Sequence, residues 1–170
     1  MSTRTTYLIG SAVVLVLAAG VFIVRDQMSQ LDDDVVRAHY QKNVNALRMF
    51  DAQALCGMLD PRYKGVDTSR VGKRIDRMEL DRAKTCKGLK ESMSVMRELV
   101  KATKAEPEMQ YVIESVEISP DGRQAKVRMR MSVRIGKRLS AASRGTETLV
   151  RRMGKVLVVR SETQTTMSVR

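Results

Sequence analysis

The sequence predicts an α+β domain tethered to a membrane by one N-terminal helix. Three observations predict this architecture. Residues 7–24 form an uncharged apolar run; the segments up to residue 104 repeat apolar side chains at helical spacing; and from Met109 onward the period changes to two. Since the helical segments come first and the strands follow, we expect helices packed on one antiparallel sheet.

The apolar run, YLIGSAVVLVLAAGVFIV, has 18 residues and no ionisable side chain. As a helix it would be roughly 27 Å long, close to the thickness of the hydrocarbon core of a bilayer. Ala18-Ala19-Gly20 would suit cleavage of a signal peptide, but the run continues to Val24 and few charges precede it. We therefore expect a retained transmembrane anchor.

The expected organisation has four parts. They are a short cytoplasmic leader (residues 1–6), the transmembrane anchor (7–24), a linker (25–30) and one periplasmic α+β domain (31–170). Arg4 and Arg25 flank the anchor almost symmetrically, and the free amine of the short leader favours a cytoplasmic N-terminus. The expected location is the inner membrane of a Gram-negative-type bacterium, crossed once, so the membrane is the first partner.

Two helices are predicted in the first half of the domain. The first follows the acidic residues 32–34, which suit a helix N-terminus, and stops at Asp60-Pro61. Its apolar stripe contains Val36, Tyr40, Leu47, Phe50, Ala54 and Met58. Residues 61–78 are polar and predict a loop with a short helical turn. The second helix is predicted over residues 79–104, with Cys86 on its apolar stripe.

Four strands are predicted after Pro107. They cover residues 110–118, 123–135, 146–152 and 155–169, and residues 136–144 predict a polar loop. The turn Ser119-Pro120-Asp121-Gly122 joins the first two strands. The second strand alternates most clearly, with apolar side chains on one side and Lys126, Arg128, Arg130 and Arg134 on the other.

Cys56 and Cys86 are the only cysteines in the chain. Two cysteines in an exported protein are usually bonded, and both positions fall on the seam between the two predicted helices. We expect a disulfide bond, which would stabilise the fold by roughly 3–4 kcal/mol because it closes a loop of about 30 residues. The only histidine, His39, is far away in sequence; we expect neither a metal site nor a cofactor.

Positive charge is concentrated at the C-terminal end. Residues 121–170 carry 13 Lys+Arg against 3 Asp+Glu, whereas residues 25–120 carry 17 against 16. Such a surface suits an anionic partner. Outside the cytoplasm nucleic acid is the least expected partner, which leaves an acidic envelope protein or anionic lipid head groups. A solvated face that keeps the protein soluble explains the charge equally well.

The basic side chains of the second strand give the sharpest hypothesis about binding. Lys126, Arg128, Arg130 and Arg134 would form one row on the outer side of the sheet, and like charges on facing strands repel. We therefore expect this row to be a partner-binding face rather than a contact between identical copies. An oligomer formed through another surface remains compatible with the sequence.

Two segments resemble a known superfamily. YQKNVNALRMFDAQALCGMLDPRYKGVD is similar to the opening helix of the nuclear-transport-factor-2-like (SnoaL-like, cystatin-like) superfamily, and SRGTETLVRRMGKVLVVRSETQTTM resembles its closing hairpin. The resemblance covers most of residues 31–168. It implies a curled, cone-shaped sheet with helices on its concave face and a pocket between them, with Tyr40 and Tyr111 as candidate pocket residues. In layout the chain also resembles anchored periplasmic assembly factors of type IV secretion machines.

That fold hosts enzymes, binding modules and scaffolds, so it does not decide the function. His39 is expected at the flank or surface of the first helix, and Asp51 and Asp60 at exposed helix and cap positions. No pair of titratable groups tuned by burial is evident, so no catalytic residue and no enzyme are expected.

The expected function is a non-catalytic interaction or scaffold module of an envelope assembly of the secretion type. The first alternative is a periplasmic carrier or sensor that holds a small apolar ligand or lipid in the cone. The second alternative is an isomerase- or dehydratase-like enzyme, which a buried Asp–Tyr pair would support.

Overall fold

The computed structural model describes residues 29–105, 107–136 and 139–169, without the side chains of residues 139, 168 and 169. The predicted leader and anchor, residues 1–24, lie outside the described residues. Within the described part of the chain, none of the helices has the length and apolar character needed to cross a bilayer.

Three helices and six strands follow one another along the described residues. The helices are α1 (Asp33–Arg48), α2 (Ala52–Gly57) and α3 (Arg82–Thr103). The strands are β1 (Leu59–Val71), β2 (Arg74–Asp81), β3 (Pro107–Ile118), β4 (Gln124–Ile135), β5 (Leu139–Arg152) and β6 (Lys155–Val169). The prediction of an α+β domain with helices packed on a curled sheet is confirmed.

All six strands belong to one sheet, in the order β2-β1-β6-β5-β4-β3. Every neighbouring pair is antiparallel except β1 and β6, which run parallel. The expectation of a purely antiparallel sheet is therefore wrong at this ladder. A long connection through β2, α3 and three further strands lets the chain return beside β1 in the parallel direction.

The first predicted helix is wrong beyond Arg48. Phe50 has a φ of 53°, in the left-handed region, and this interrupts the helix. Asp51 then caps the short α2, because the backbone N–H of Ala54 donates to the Asp51 carboxylate at 2.9 Å. The apolar stripe continues across the break, which is why periodicity alone suggested one long helix.

Two predicted loops are strands. Residues 61–78 lie mainly in the β1–β2 hairpin, whose turn contains Gly72 with a φ of 61°. Most side chains of β2 are exposed on both faces, so the burial alternation that marks a strand is absent. The predicted loop at residues 136–144 is replaced from Leu139 onward by β5, whose polar residues pair with β4.

The main core lies between α1 and the concave face of the sheet. Its buried members include Val36 and Tyr40 from α1 and Ala125, Val127 and Leu149 from the sheet. In β4 the predicted alternation is confirmed: the apolar side chains are buried or half-buried, and the four basic side chains are exposed.

Cys56 in α2 and Cys86 in α3 are bonded, with a Cα–Cα distance of 5.3 Å. The predicted disulfide is confirmed. It ties α2 to α3 beside a second core cluster formed by Ala46, Leu55 and Met93. Partly buried apolar side chains from both helices, Ala54 and Leu89 among them, pack against this cluster.

We expect the double variant Cys56→Ser/Cys86→Ser to lose roughly 3–4 kcal/mol of unfolding free energy, because the bond restricts the unfolded chain over a loop of 30 residues. Denaturant unfolding of the full chain in detergent measures this. Reduced wild-type protein serves as the control and should unfold at the same denaturant concentration as the variant. A loss below about 1 kcal/mol, or thiol labelling of the oxidised wild type without reductant, would contradict this account.

Candidate functional site

A cavity of about 290 Å³ lies between the helices and the concave face of the sheet. Its apolar walls are formed by side chains of the helical half and of the neighbouring strands: Leu47, Leu55, Met58, Leu89, Met129 and Val158. Its floor is polar and belongs to β1, β5 and β6, which contribute Asp67, Ser143, Glu147, Ser161 and Thr163. The volume is at the lower end of the range for small-molecule sites.

The cavity exists because the side chains of the floor are short. Gly145 in β5 lies opposite Met129 of β4 and Thr163 of β6. A Cβ atom at Gly145 would lie 3.1 Å from the carbonyl oxygen of Glu162, closer than ordinary contact. Since larger side chains here would fill the space, the small residues at the centre of the floor keep the cavity open.

Glu147 is the central ionisable group of the floor. It lies two residues before the fully buried Leu149 on the same strand, so both side chains point to the concave face of the sheet. Its Oε2 atom accepts a hydrogen bond of 2.7 Å from the Tyr40 hydroxyl. Burial raises the pKa of Glu147 to about 7, against the opposing effect of the Tyr40 hydrogen bond. Within the described part of the chain, no cation forms an ion pair with this carboxylate.

Tyr40 and Tyr111, the two predicted pocket residues, both line the cavity. Their rings are stacked, with centroids 5.4 Å apart, and the Tyr111 hydroxyl donates to Sδ of Met129 at 2.6 Å. Burial, and then the charge of Glu147, raise the pKa of both phenols. Both hydroxyls therefore stay protonated at physiological pH.

A second acid, Asp67, lines the cavity from β1. Burial raises the pKa of Asp67, and a hydrogen bond from Thr165 opposes this effect. Nearby, the hydroxyls of Tyr63 and Ser161 are hydrogen-bonded. A Cβ atom at Gly65 would collide with the Tyr63 hydroxyl, so glycine at this position permits that bond.

Two of the other candidate residues are placed differently from their prediction. His39 is 5% exposed; burial, and then the charge of Lys42, lower its pKa to about 4. It is therefore a buried neutral imidazole; of the predicted flank or surface position, the surface alternative is wrong. Asp60 is fully buried rather than exposed; its carboxylate accepts the Arg62 backbone N–H at 2.9 Å and lies 3.4 Å from Arg152. Asp51 is exposed, as predicted, but it caps α2 instead of lying within one continuous helix.

The predicted basic row lies on the outer face of the sheet, opposite the cavity. Lys126, Arg128, Arg130 and Arg134 are all exposed. This face also carries acidic side chains that the sequence pattern did not predict. Glu114 pairs with Arg130 and lies 3.9 Å from Arg144. Glu108 lies 3.8 Å from Arg134. Lys126 and Arg128 form no ion pair within the described residues, so the positive charge that remains unpaired is centred on these two side chains.

The Glu147–Tyr40 pair was not predicted from the sequence. A signal was available, because Glu147 is one of only three acids among residues 121–170 and it shares strand parity with the apolar Leu149. A half-buried carboxyl group with a pKa near neutrality, held by a phenol, can bind a polar group of a ligand or exchange a proton with it. The described residues contain no group of three or more His, Cys, Asp or Glu side chains that could hold a metal ion.

The raised pKa of Glu147 predicts a pH-dependent stability. Between pH 4.5, its ordinary value, and about pH 7, the unfolded chain releases this proton before the folded chain does, so folding stability falls as pH rises. In Glu147→Gln this loss is absent, while the Tyr40 hydroxyl still has an acceptor. The difference in unfolding free energy between the variant and wild type should therefore shift in favour of the variant by at most roughly 3 kcal/mol between about pH 5 and about pH 8.

Denaturant unfolding at both pH values measures this difference, with the exposed Glu117→Gln as the control that should show no such gain. A stability difference between Glu147→Gln and wild type that stays constant with pH would contradict the burial of this carboxyl.

Comparison with known proteins bears on the fold. No protein-family model matches the chain, and no curated protein matches it. Solved structures do match. A domain of unknown function with a cystatin-like fold from Nostoc punctiforme has a TM-score of 0.58 at 9% identity, covering 78% of this chain and 76% of that one.

Two further structures agree. An NTF-2 like protein of unknown function from Silicibacter pomeroyi has a TM-score of 0.51 at 14% identity, covering 81% of this chain and 94% of that one. A ketosteroid isomerase-like protein from Erwinia carotovora atroseptica has a TM-score of 0.50 at 16% identity, covering 78% and 94%. At sequence identities this low, structural similarity establishes the fold but not an activity. The described domain has the nuclear-transport-factor-2-like, cystatin-like fold.

Proposed function

We propose that this chain is a membrane-anchored, non-catalytic binding module that holds a small, largely apolar molecule in the cone cavity. The observation that carries the proposal is the contrast between the apolar walls of the cavity and its polar floor. Sites for small molecules combine these two features, since apolar walls supply affinity and a few polar groups fix the orientation of the ligand.

The size of the cavity limits the ligand. Taking the liquid volume of a water molecule, about 30 Å³, as a guide, the 290 Å³ cavity has room for roughly ten non-hydrogen atoms. The cavity is partly open to solvent, and its walls include the apolar side chains of Leu47, Leu89 and Val158. A ligand whose apolar body displaces water from these walls would gain affinity, which supports ligand binding.

The location is proposed from the sequence and from the disulfide. The uncharged run at residues 7–24 suits a membrane anchor, and a Cys56–Cys86 bond suits an oxidising compartment. Together they support a domain on the periplasmic side of the inner membrane. A lipid fragment, a metabolite or a signalling molecule of that compartment would then be the natural source of the ligand.

The proposal predicts that filling the cavity abolishes binding. Thr163 lines the floor and makes no side-chain hydrogen bond among the described residues, so Thr163→Phe should occupy the space without breaking a polar contact. We expect ligand-observed NMR on the full chain in detergent to detect at least one of cyclohexanone, phenethyl alcohol and phenethylamine. We expect Thr163→Phe to weaken that binding at least about tenfold.

The matched control is Thr146→Phe, because Thr146 lies in the neighbouring strand, paired with Arg128 and Glu162, whose side chains belong to the outer face. It should bind like wild type. Failure of all three probes to bind wild type, or unchanged binding by Thr163→Phe, would overturn the proposal. If the protein converts a probe to a new compound, the proposal of a non-catalytic binding module is wrong, and the protein is an enzyme that uses the Glu147–Tyr40 pair.

A second candidate function, scaffolding within an envelope assembly, is favoured by the outer face of the sheet. Lys126 and Arg128 are exposed there without an ion-pair partner in the described part of the chain, and the exposed Val112 lies on the same face opposite Arg130. An exposed surface with unpaired positive charge suits an anionic partner. An acidic envelope protein would complement this face, and anionic lipid head groups are the competing partner.

A photo-crosslinking residue at position 132, within the basic row, tests this candidate in cells. We expect an adduct with an acidic envelope protein that is lost when Lys126, Arg128, Arg130 and Arg134 are replaced by Gln and that weakens with salt, since exposed charges are screened. The same probe at Val95, exposed on α3, is the control. An adduct that persists in the four-site variant would contradict a role for the basic row.

A further inference from the structure

The ionisable groups that line the cavity are of one kind. Two are carboxyl groups, Asp67 and Glu147, and the others are the phenols of Tyr40, Tyr63 and Tyr111. Lys, Arg and His are absent among the described lining residues, although the whole chain carries a net charge of +12. The cavity is therefore an acidic site inside a basic protein.

The aromatic side chains of the described domain are also concentrated at this site. All three tyrosines of the described residues line the cavity, and two of their rings are stacked against each other. The faces of aromatic rings carry negative charge and attract organic cations, most strongly where water is excluded. Carboxylates and aromatic rings in the same cavity thus select for the same sign of charge in a ligand.

An anionic ligand does not suit this cavity. A carboxylate or phosphate brought onto the floor would meet two acids and no cation, and a buried charge without a partner is costly. A neutral ligand would be tolerated, but it would leave any ionised carboxylate of the floor uncompensated. A cation satisfies both conditions, since its charge offsets that of the carboxylate and its N–H groups donate to it.

We infer that the ligand is a small organic cation, a protonated amine on an apolar body, whose ammonium group binds Glu147 at the floor of the cavity. This inference rests on the proposed function, because it names the class of molecule that the cavity holds.

The Glu147 carboxylate is already positioned for this contact. Its Oε2 atom is held by Tyr40 at 2.7 Å, and the described residues give its second oxygen no hydrogen-bond partner. The apolar body of the amine would pack against the walls, on Leu47, Leu89 and Val158. Asp67 lies two strands away, about 10 Å across the sheet, and adds to the negative potential without competing for the same nitrogen.

The test compares molecules that share one apolar body and differ only in the polar group: phenethylamine, phenethyl alcohol and phenylacetate. Isothermal titration of the full-length protein in detergent at about pH 8 keeps the amine protonated. The Thr163→Phe protein in the same detergent corrects for uptake of the probes by the micelles. We expect the amine to bind about tenfold more tightly than the alcohol, because a charge-assisted hydrogen bond replaces a neutral one, and phenylacetate to show no binding.

Glu147→Gln should lower the affinity for the amine about tenfold and the affinity for the alcohol by much less, and a cooperative unfolding transition in denaturant shows that the variant is folded. Glu117→Gln, exposed and remote, should change neither affinity. Equal binding of amine and alcohol, or binding of phenylacetate, would overturn the cation inference while leaving the ligand-binding proposal standing. Binding of none of the three probes would overturn the cation inference, and if cyclohexanone also fails to bind, the ligand-binding proposal is overturned with it.

Discussion

The hydrogen bond between Tyr40 and Glu147 is the interaction on which the arrangement of this domain depends. It joins the first helix to the middle of β5, across 107 positions of sequence, and together with the core packing of Val36 and Tyr40 it holds α1 over the concave face of the sheet. The same contact holds a half-buried carboxyl group on the floor of the cavity. A buried polar pair of this kind destabilises a fold if either partner is lost, since the other is left unsatisfied. The position of the helix and the chemistry of the cavity are therefore set together.

The rest of the sheet is built around the space that this contact leaves. Gly145 and the short side chains of Ser143 and Thr163 leave space above the centre of the floor. The parallel pairing of β1 with β6 brings Asp67 from the first half of the chain to the same surface. The outer face of the same strands carries the basic residues. Because side chains alternate along a strand, one sheet presents an acidic cavity on one side and a basic surface on the other.

Much of the fold could be predicted from the sequence. The strand alternation in β4 and the disulfide follow from local patterns, and the structure confirms them. The predicted order of helices before strands is wrong, because the β1–β2 hairpin lies between α2 and α3. The break at Phe50 and the β1–β2 hairpin could not be predicted in this way. The first requires a left-handed residue that periodicity does not reveal, and the second is an edge hairpin whose side chains are exposed on both faces. Tyr40 and Tyr111, the two predicted pocket residues, line the cavity. The burial of Asp60 and His39 and the partnership of Glu147 depend on contacts between distant segments.

The ionisation of Glu147 in the folded protein tests the account most directly. Carbon-detected NMR of the side-chain carboxyl group, in the full-length chain labelled at glutamate and assigned with Glu147→Gln, follows this ionisation at a single site. The account predicts a midpoint near pH 7, far above the ordinary value of 4.5. A midpoint at the ordinary value would show a solvated carboxylate, and it would contradict both the closed floor of the cavity and the binding chemistry assigned to it.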